Sequence, residues 1–122
     1  MSWQVARVLV IRDDSTGVVV NTVYSVFCGG ALLSKKYILS AAHCGPPTKG
    51  FEHVLIGAKT KYERDKIREL SNKYHTHDQY VEFDSATEGK FVIYDFMILI
   101  LKAPLVEACA DNFVRLPRIS DD

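Results

Sequence analysis

The chain has 122 residues, of which 48% are hydrophobic and 25% charged, a balance that provides one globular core and argues against disorder. Its 15 basic and 15 acidic side chains cancel, so no net charge recruits nucleic acid or an anionic membrane as a partner. No apolar stretch approaches the length of a membrane span, and residues 1–8 lack the pattern of a secretory signal.

Short β-branched runs separated by turn residues make up most of the chain. Strands are expected in four of these runs: residues 5–11, 18–27 (ending at Gly29-Gly30), 37–39 and 54–56. Residues 40–44 could form one helical turn, residues 66–77 alternate loosely between apolar and polar, and residues 91–101 form the last long apolar segment. Because no segment keeps a 3.6-residue apolar period over three turns, the pattern predicts an all-β barrel or sandwich.

The potential metal ligands and thiols are few. There are three cysteines, Cys28, Cys44 and Cys109, so at least one is free or bonded elsewhere, and free buried thiols are the default reading of the chemistry alone. His75 and His77 share a strand face, but two imidazoles without further ligands at suitable spacing make a poor metal site. We therefore expect no metal and no cofactor.

The most informative pattern lies in residues 28–33, Cys-Gly-Gly-Ala-Leu-Leu, and residues 37–44, Tyr-Ile-Leu-Ser-Ala-Ala-His-Cys. It resembles the signature around the catalytic histidine of trypsin- and chymotrypsin-like serine proteases, with every element at the usual spacing. The resemblance implies that His43 is a general acid and base. It also implies a disulfide between Cys28 and Cys44, closing a loop of about 17 residues worth roughly 3 kcal/mol.

A second match lies in residues 94–99, Tyr-Asp-Phe-Met-Ile-Leu, which resemble the family segment that carries the triad aspartate. The resemblance implies that Asp95 is buried, fixes the tautomer of His43 and stabilises its imidazolium form. Ser40 matches a hydroxyl that commonly hydrogen-bonds this aspartate in the family. We therefore expect Ser40 to support Asp95 and not to act as a nucleophile.

The resemblance covers nearly the whole chain and implies the first half of the family's double-barrel fold. The expected fold is a six-stranded antiparallel Greek-key barrel over residues 1–122, with residues 103–122 as an exit linker toward an absent second barrel. No Gly-Asp-Ser-Gly-Gly segment occurs, so the nucleophile, the oxyanion hole and the specificity pocket are missing. The chain alone is expected to be inactive.

The function implied is that of a serine-type endopeptidase to which this chain supplies His43 and Asp95. Its implied partners are a polypeptide substrate or the missing serine-bearing half, with a protein inhibitor as a further partner. The alternative is a non-catalytic binding or regulatory module derived from a serine protease, and the intact His43 and Asp95 favour the enzyme. An extracellular location follows from the resemblance and the expected disulfide, against the absent signal.

Overall fold

Apolar residues that recur with the two-residue period of a strand form the elements of the fold. The computed structural model describes residues 3–13, 21–47, 52–60, 62–85, 89–106 and 113–114. Its strands are β1 (Gln4–Asp13), β2 (Asn21–Leu32), β3 (Tyr37–Ser40), β4 (Glu52–Ile56), β5 (Ile67–Thr76), β6 (Val81–Ser85), β7 (Gly89–Ile93) and β8 (Met97–Leu101). Two short 3₁₀ helices span Ala42–Cys44 and Arg64–Lys66. Within these described ranges, no helix has the length and apolar character needed to cross a membrane.

Six of the strands close into an antiparallel barrel in the order β1-β2-β3-β8-β5-β4. Strands β1, β2 and β3 pair consecutively, and β4 returns to lie beside β1. This spatial order of four strands is that of a Greek key. The structure therefore confirms the predicted all-β, six-stranded Greek-key barrel.

Three local features differ from the sequence-based prediction. Strand β2 does not end at the two glycines but continues to Leu32, because Gly30 permits close approach of β3. A Cβ atom at Gly30 would lie 2.9 Å from the carbonyl oxygen of Leu39. The apolar segment 91–101 is divided between β7 and β8, and Tyr94 between them has a φ of 52°, in the left-handed region that interrupts a strand. Strands β6 and β7 form a separate hairpin that was not predicted.

The core consists of the inward-facing side chains of the barrel strands. In β8, alternate residues are buried, with exposed fractions of 2% for Met97 and 0% for Leu99 and Leu101. The buried cluster is completed by Val5, Leu32, Ile38, Ala42, Val54, Ile56 and Leu105, with Leu70, Tyr80 and Phe113 packed against it. Burial of this apolar set is the main stabilisation of the barrel.

The end of the chain is described only in part. The amide of Val114 donates a hydrogen bond to the carbonyl of Leu32 at 2.8 Å, so residues 113–114 lie against the barrel. Cys109 and residues 115–122 lie outside the described residues. The assignment of residues 103–122 as an exit linker therefore stays a prediction.

The register between β3 and β8 determines where the site lies. Ser40, the last residue of β3, pairs with Met97, the first residue of β8. Because the two strands are antiparallel, the chain leaving β3 and the chain entering β8 meet at the same end of the barrel. His43 follows Ser40 by three residues and Asp95 precedes Met97 by two, so strand pairing alone brings them close together.

Candidate active site

His43 lies on the short 3₁₀ helix that follows β3. The amide of Cys44 donates to the carbonyl of Ala41 at 3.2 Å, and the amide of Gly45 donates to that of Ala42 at 3.0 Å. Gly45 ends the helix with a φ of 85°, which a glycine adopts without steric cost. A disulfide joins Cys44 to Cys28 of β2, as the family resemblance implied. The residue next to His43 is thus covalently attached to the barrel wall.

The carboxylate of Asp95 holds His43 at two points. The ring Nδ1 of His43 lies 2.5 Å from Asp95 Oδ2, and the backbone amide of His43 donates to Oδ1 at 2.7 Å. The side chain of Asp95 is 20% exposed, whereas that of His43 is 52% exposed. The other ring nitrogen, Nε2, lies 3.9 Å from Sγ of Cys44, a disulfide sulfur that has no hydrogen to donate.

The electrostatic environment keeps Asp95 ionised. Burial raises the pKa of this carboxyl, but hydrogen bonds from the ring and backbone of His43, attraction to its charged form and the amide of Ala42 outweigh burial. The net effect is an Asp95 pKa below its ordinary value. An ionised carboxylate that accepts from Nδ1 favours the tautomer whose lone pair is on Nε2, the form in which imidazole acts as a base.

Asp95 is the central residue of a tight turn between β7 and β8. The amide of Phe96 donates to the carbonyl of Tyr94 at 2.9 Å, and the amide of His77 donates to that of Phe96 at 3.0 Å. The ring of His77 stacks on Tyr94 with centroids 4.8 Å apart, covering the residue with positive φ. His77, which the sequence predicted to be a poor metal ligand, therefore packs against the turn that presents Asp95.

Ser40 has different partners from the one that the resemblance implied. Its hydroxyl donates a hydrogen bond to the carbonyl of Gly29 at 3.0 Å. The same hydroxyl accepts a hydrogen bond from Nη1 of Arg7 at 3.4 Å. No hydrogen bond joins it to Asp95 among the contacts of the described residues. The reason is the strand alternation, because Ser40 is 7% exposed and directed into the barrel whereas Asp95 lies beyond the strand end.

A buried ion pair that sequence reasoning missed lies beside this serine. Arg7 of β1 is 0% exposed and donates from Nε to Oε2 and from Nη2 to Oε1 of Glu52 on β4, both at 2.9 Å. A third bond, from Nη2 of Arg7 to the carbonyl of Gly45, measures 2.8 Å. Charged residues at inward positions of apolar strands were the sequence signal that could have identified the pair.

Two of the three potential metal ligands at the site, Cys28 and Cys44, are bonded to each other. In the part of the chain that the structure describes, the ligand atoms of Cys28, His43 and Cys44 lie within 4.8 Å of one another. The two sulfurs are bonded to each other, however, so neither is a thiolate ligand.

Comparison with known proteins identifies the family to which this sequence is similar. A chymotrypsin from Phaedon cochleariae is 31% identical over 96 residues, which are 77% of this chain and 32% of that protein. Brachyurin from Leptuca pugilator is 31% identical over 93 residues, 75% of this chain and 38% of its own length. The chain thus spans about a third of the length of these relatives. The trypsin family model matches residues 9–120, and the chain belongs to the trypsin family.

Proposed function

We propose that this chain supplies the proton-transfer pair of a serine-type endopeptidase, with His43 as general base and acid and Asp95 as the group that orients it. The observation that carries the proposal is that Asp95 holds both Nδ1 and the backbone amide of His43 while the ring remains about half exposed. Nε2 of His43 takes the proton from a serine hydroxyl and returns it to the leaving amine. Asp95 stabilises the imidazolium formed between these two steps.

The nucleophile of this reaction would come from outside the 122 residues, which contain no Gly-Asp-Ser-Gly-Gly segment. The same applies to the oxyanion hole and to the pocket that selects the cleaved side chain. The substrate class is the polypeptide, cleaved by acyl transfer, and a protein inhibitor that blocks the same site is a further partner. Membership of the trypsin family and the two named proteases among its relatives support this substrate class.

The disulfide supports an extracellular location. Bonds of this kind persist in oxidising compartments and are rare in the reducing cytosol. In this chain the bond joins the residue beside His43 to β2, so a reducing compartment would release one attachment of the proposed base. An extracellular site of action preserves it.

The decisive experiment measures peptide hydrolysis by this chain when it is combined with the serine-bearing half that the proposal requires. We expect His43→Ala to lower kcat by about a millionfold, because the base acts as a unit with the nucleophile. Asp95→Asn should lower kcat by about ten-thousandfold, because the wrong tautomer is then favoured. His75→Ala, a histidine change on exposed β5 surface, is the matched control and should leave kcat unchanged.

Two results would contradict the proposal. The first is a His43→Ala protein that cleaves as fast as the His75→Ala control. The second is a stoichiometric adduct between a fluorophosphonate probe and the 122-residue chain by itself, which would reveal an activated serine within these residues. A peptide affinity that is retained in His43→Ala, with no turnover in the parent, would instead support the non-catalytic binding module.

A further inference from the structure

A buried polar cluster occupies the end of the barrel beneath the His43 turn. Its members are Arg7, Ser40 and Glu52, all at most 7% exposed. Each lies two positions from a core residue of its own strand, and strand side chains alternate with a period of two, so all three face inward. The corresponding core residues are Val5, Ile38 and Val54. The apolar core therefore ends in an ionic cluster at the end of the barrel where His43 lies.

The guanidinium of Arg7 donates hydrogen bonds to three separate parts of the structure and is covered by a fourth. It makes two parallel bonds to Glu52, at 2.9 Å each, which fix its plane. Nη1 reaches the hydroxyl of Ser40 at 3.4 Å, and Nη2 reaches the carbonyl of Gly45 at 2.8 Å. The ring of Phe27 covers the group, with Cζ of Arg7 5.0 Å from the ring centroid. One side chain thus connects β1, β4, the end of β3 and the turn after His43.

The stability of the barrel does not by itself require the buried Arg7–Glu52 ion pair. A buried ion pair is often replaced by apolar residues of similar volume without loss of stability, because desolvation of two charges offsets their attraction. The contact with Gly45 is different in kind, because no apolar side chain can donate to its carbonyl. The amide of Gly45 donates to the carbonyl of Ala42 and closes the 3₁₀ helix, while the carbonyl of Gly45 accepts from Arg7. Both backbone groups of Gly45 are therefore held by hydrogen bonds.

Ser40 extends the same connection to the disulfide. Its hydroxyl accepts from Arg7 and donates to the carbonyl of Gly29, the residue after Cys28. The turn that bears His43 is therefore fastened on one side by the Cys28–Cys44 bond and on the other by Arg7.

We propose that the Arg7–Glu52 pair is a positioning device for His43: Glu52 orients the guanidinium, and the guanidinium holds the carbonyl of Gly45 so that the His43 ring faces Asp95. Arg7 and Glu52 are positioning residues and do not touch the substrate. The effect on catalysis rests on the proposed function of His43. The effect on the orientation of the ring does not, since it concerns only groups within this chain.

The test replaces the pair by apolar residues so that stability and positioning are separated. In the double variant Arg7→Met with Glu52→Leu, no buried charge remains unpaired and the core volume is largely kept, but the donor to Gly45 is lost. Arg7→Lys is the second variant, since it keeps a positive charge beside Glu52 without the planar group that reaches two partners at once. Removal of the exposed ion pair between Lys102 and Glu69, by Lys102→Gln with Glu69→Gln, is the matched control.

The primary measurement is nitrogen NMR of the His43 ring in the 122-residue chain. The parent and the control should show the neutral ring protonated at Nδ1, the nitrogen that faces Asp95. In the double variant and in Arg7→Lys, we expect the Nε2-protonated form to become populated, while the thermal midpoint of the double variant stays within a few degrees of the parent. When the chain is combined with the serine-bearing half that the proposed function requires, both variants should lower kcat by about tenfold to a hundredfold with KM nearly unchanged.

The possible outcomes are distinguishable. An unchanged ring tautomer in a folded double variant, or in Arg7→Lys if the double variant does not fold, overturns the positioning role and leaves the proposed function intact. A shifted tautomer together with full activity of His43→Ala overturns the proposed function and leaves the positioning of the ring established. A shift that the surface control reproduces would also overturn the proposal, because a general loss of charge would then account for it.

Discussion

The disulfide that anchors the His43 turn should contribute a large share of the stability of the barrel. Its cysteines are 16 positions apart, so removal of the bond by Cys28→Ala with Cys44→Ala frees a loop of about 17 residues in the unfolded chain. The chain-entropy relation gives an entropy change of about 10 cal/mol/K for such a loop, or about 3 kcal/mol at 25 °C. Natural domains are stable by only about 5–15 kcal/mol, so this loss removes a fifth to more than half of the total.

Urea unfolding followed by tryptophan fluorescence measures this loss, because the chain has a single tryptophan, Trp3. With a slope of about 1.5 kcal/mol/M, the midpoint of the double variant should fall by about 2 M. Added reductant provides the internal control: it should lower the midpoint of the parent toward that of the variant and leave the variant unchanged. A parent midpoint that does not respond to reductant, or a loss below about 1 kcal/mol, would refute the reasoning.

Three smaller perturbations test the site and the core. The parent should be more stable than Asp95→Asn, and this advantage should have its full value above the ordinary aspartate pKa of about 4. It should shrink as the pH falls through the lowered pKa of Asp95 in the folded protein, because the carboxyl contributes only while it is ionised. Urea titrations at several pH values test this, and a difference that does not change with pH contradicts it. Gly30→Ala should lower stability by about 1–3 kcal/mol, because its Cβ would meet the carbonyl of Leu39 at 2.9 Å, and an unchanged thermal midpoint would show that β3 can move away. Leu99→Ala, at a side chain that is 0% exposed, should cost about 2–5 kcal/mol in calorimetry, whereas Val106→Ala, at 89% exposure, should stay within about 0.5 kcal/mol.

The sequence was sufficient for the fold class and for the two residues that meet at the site. The absence of a 3.6-residue apolar period argued against long helices. The segments around His43 and Asp95 are specific enough to indicate one family, whose model matches residues 9–120. The Cys28–Cys44 bond also followed from the resemblance. Without the resemblance, the default prediction was that the cysteines are free thiols, because nothing in the spacing of three cysteines determines which two meet.

Two kinds of feature could not be predicted from the sequence: one local backbone conformation and the contacts between distant strands. The division of residues 91–101 into two strands rests on the positive φ of Tyr94, and a tyrosine gives no local sign of that conformation. The partners of Ser40 depend on Arg7, 33 positions away, and the ion pair of Arg7 with Glu52 spans 45 positions. Long-range pairings of this kind are set by strand register, which short motifs do not encode.

The pairing of Ser40 with Met97 has a consequence for how this site can change over time. Because both members of the His43–Asp95 pair are attached at the ends of adjacent strands, their separation does not depend on the contour length of the intervening chain. The β6–β7 hairpin lies outside the barrel, and doubling the length of a flexible loop costs only about 0.6 kcal/mol in closure entropy. Insertions and deletions in the β6–β7 hairpin can therefore reshape the rim of the barrel while the contact between His43 and Asp95 is kept.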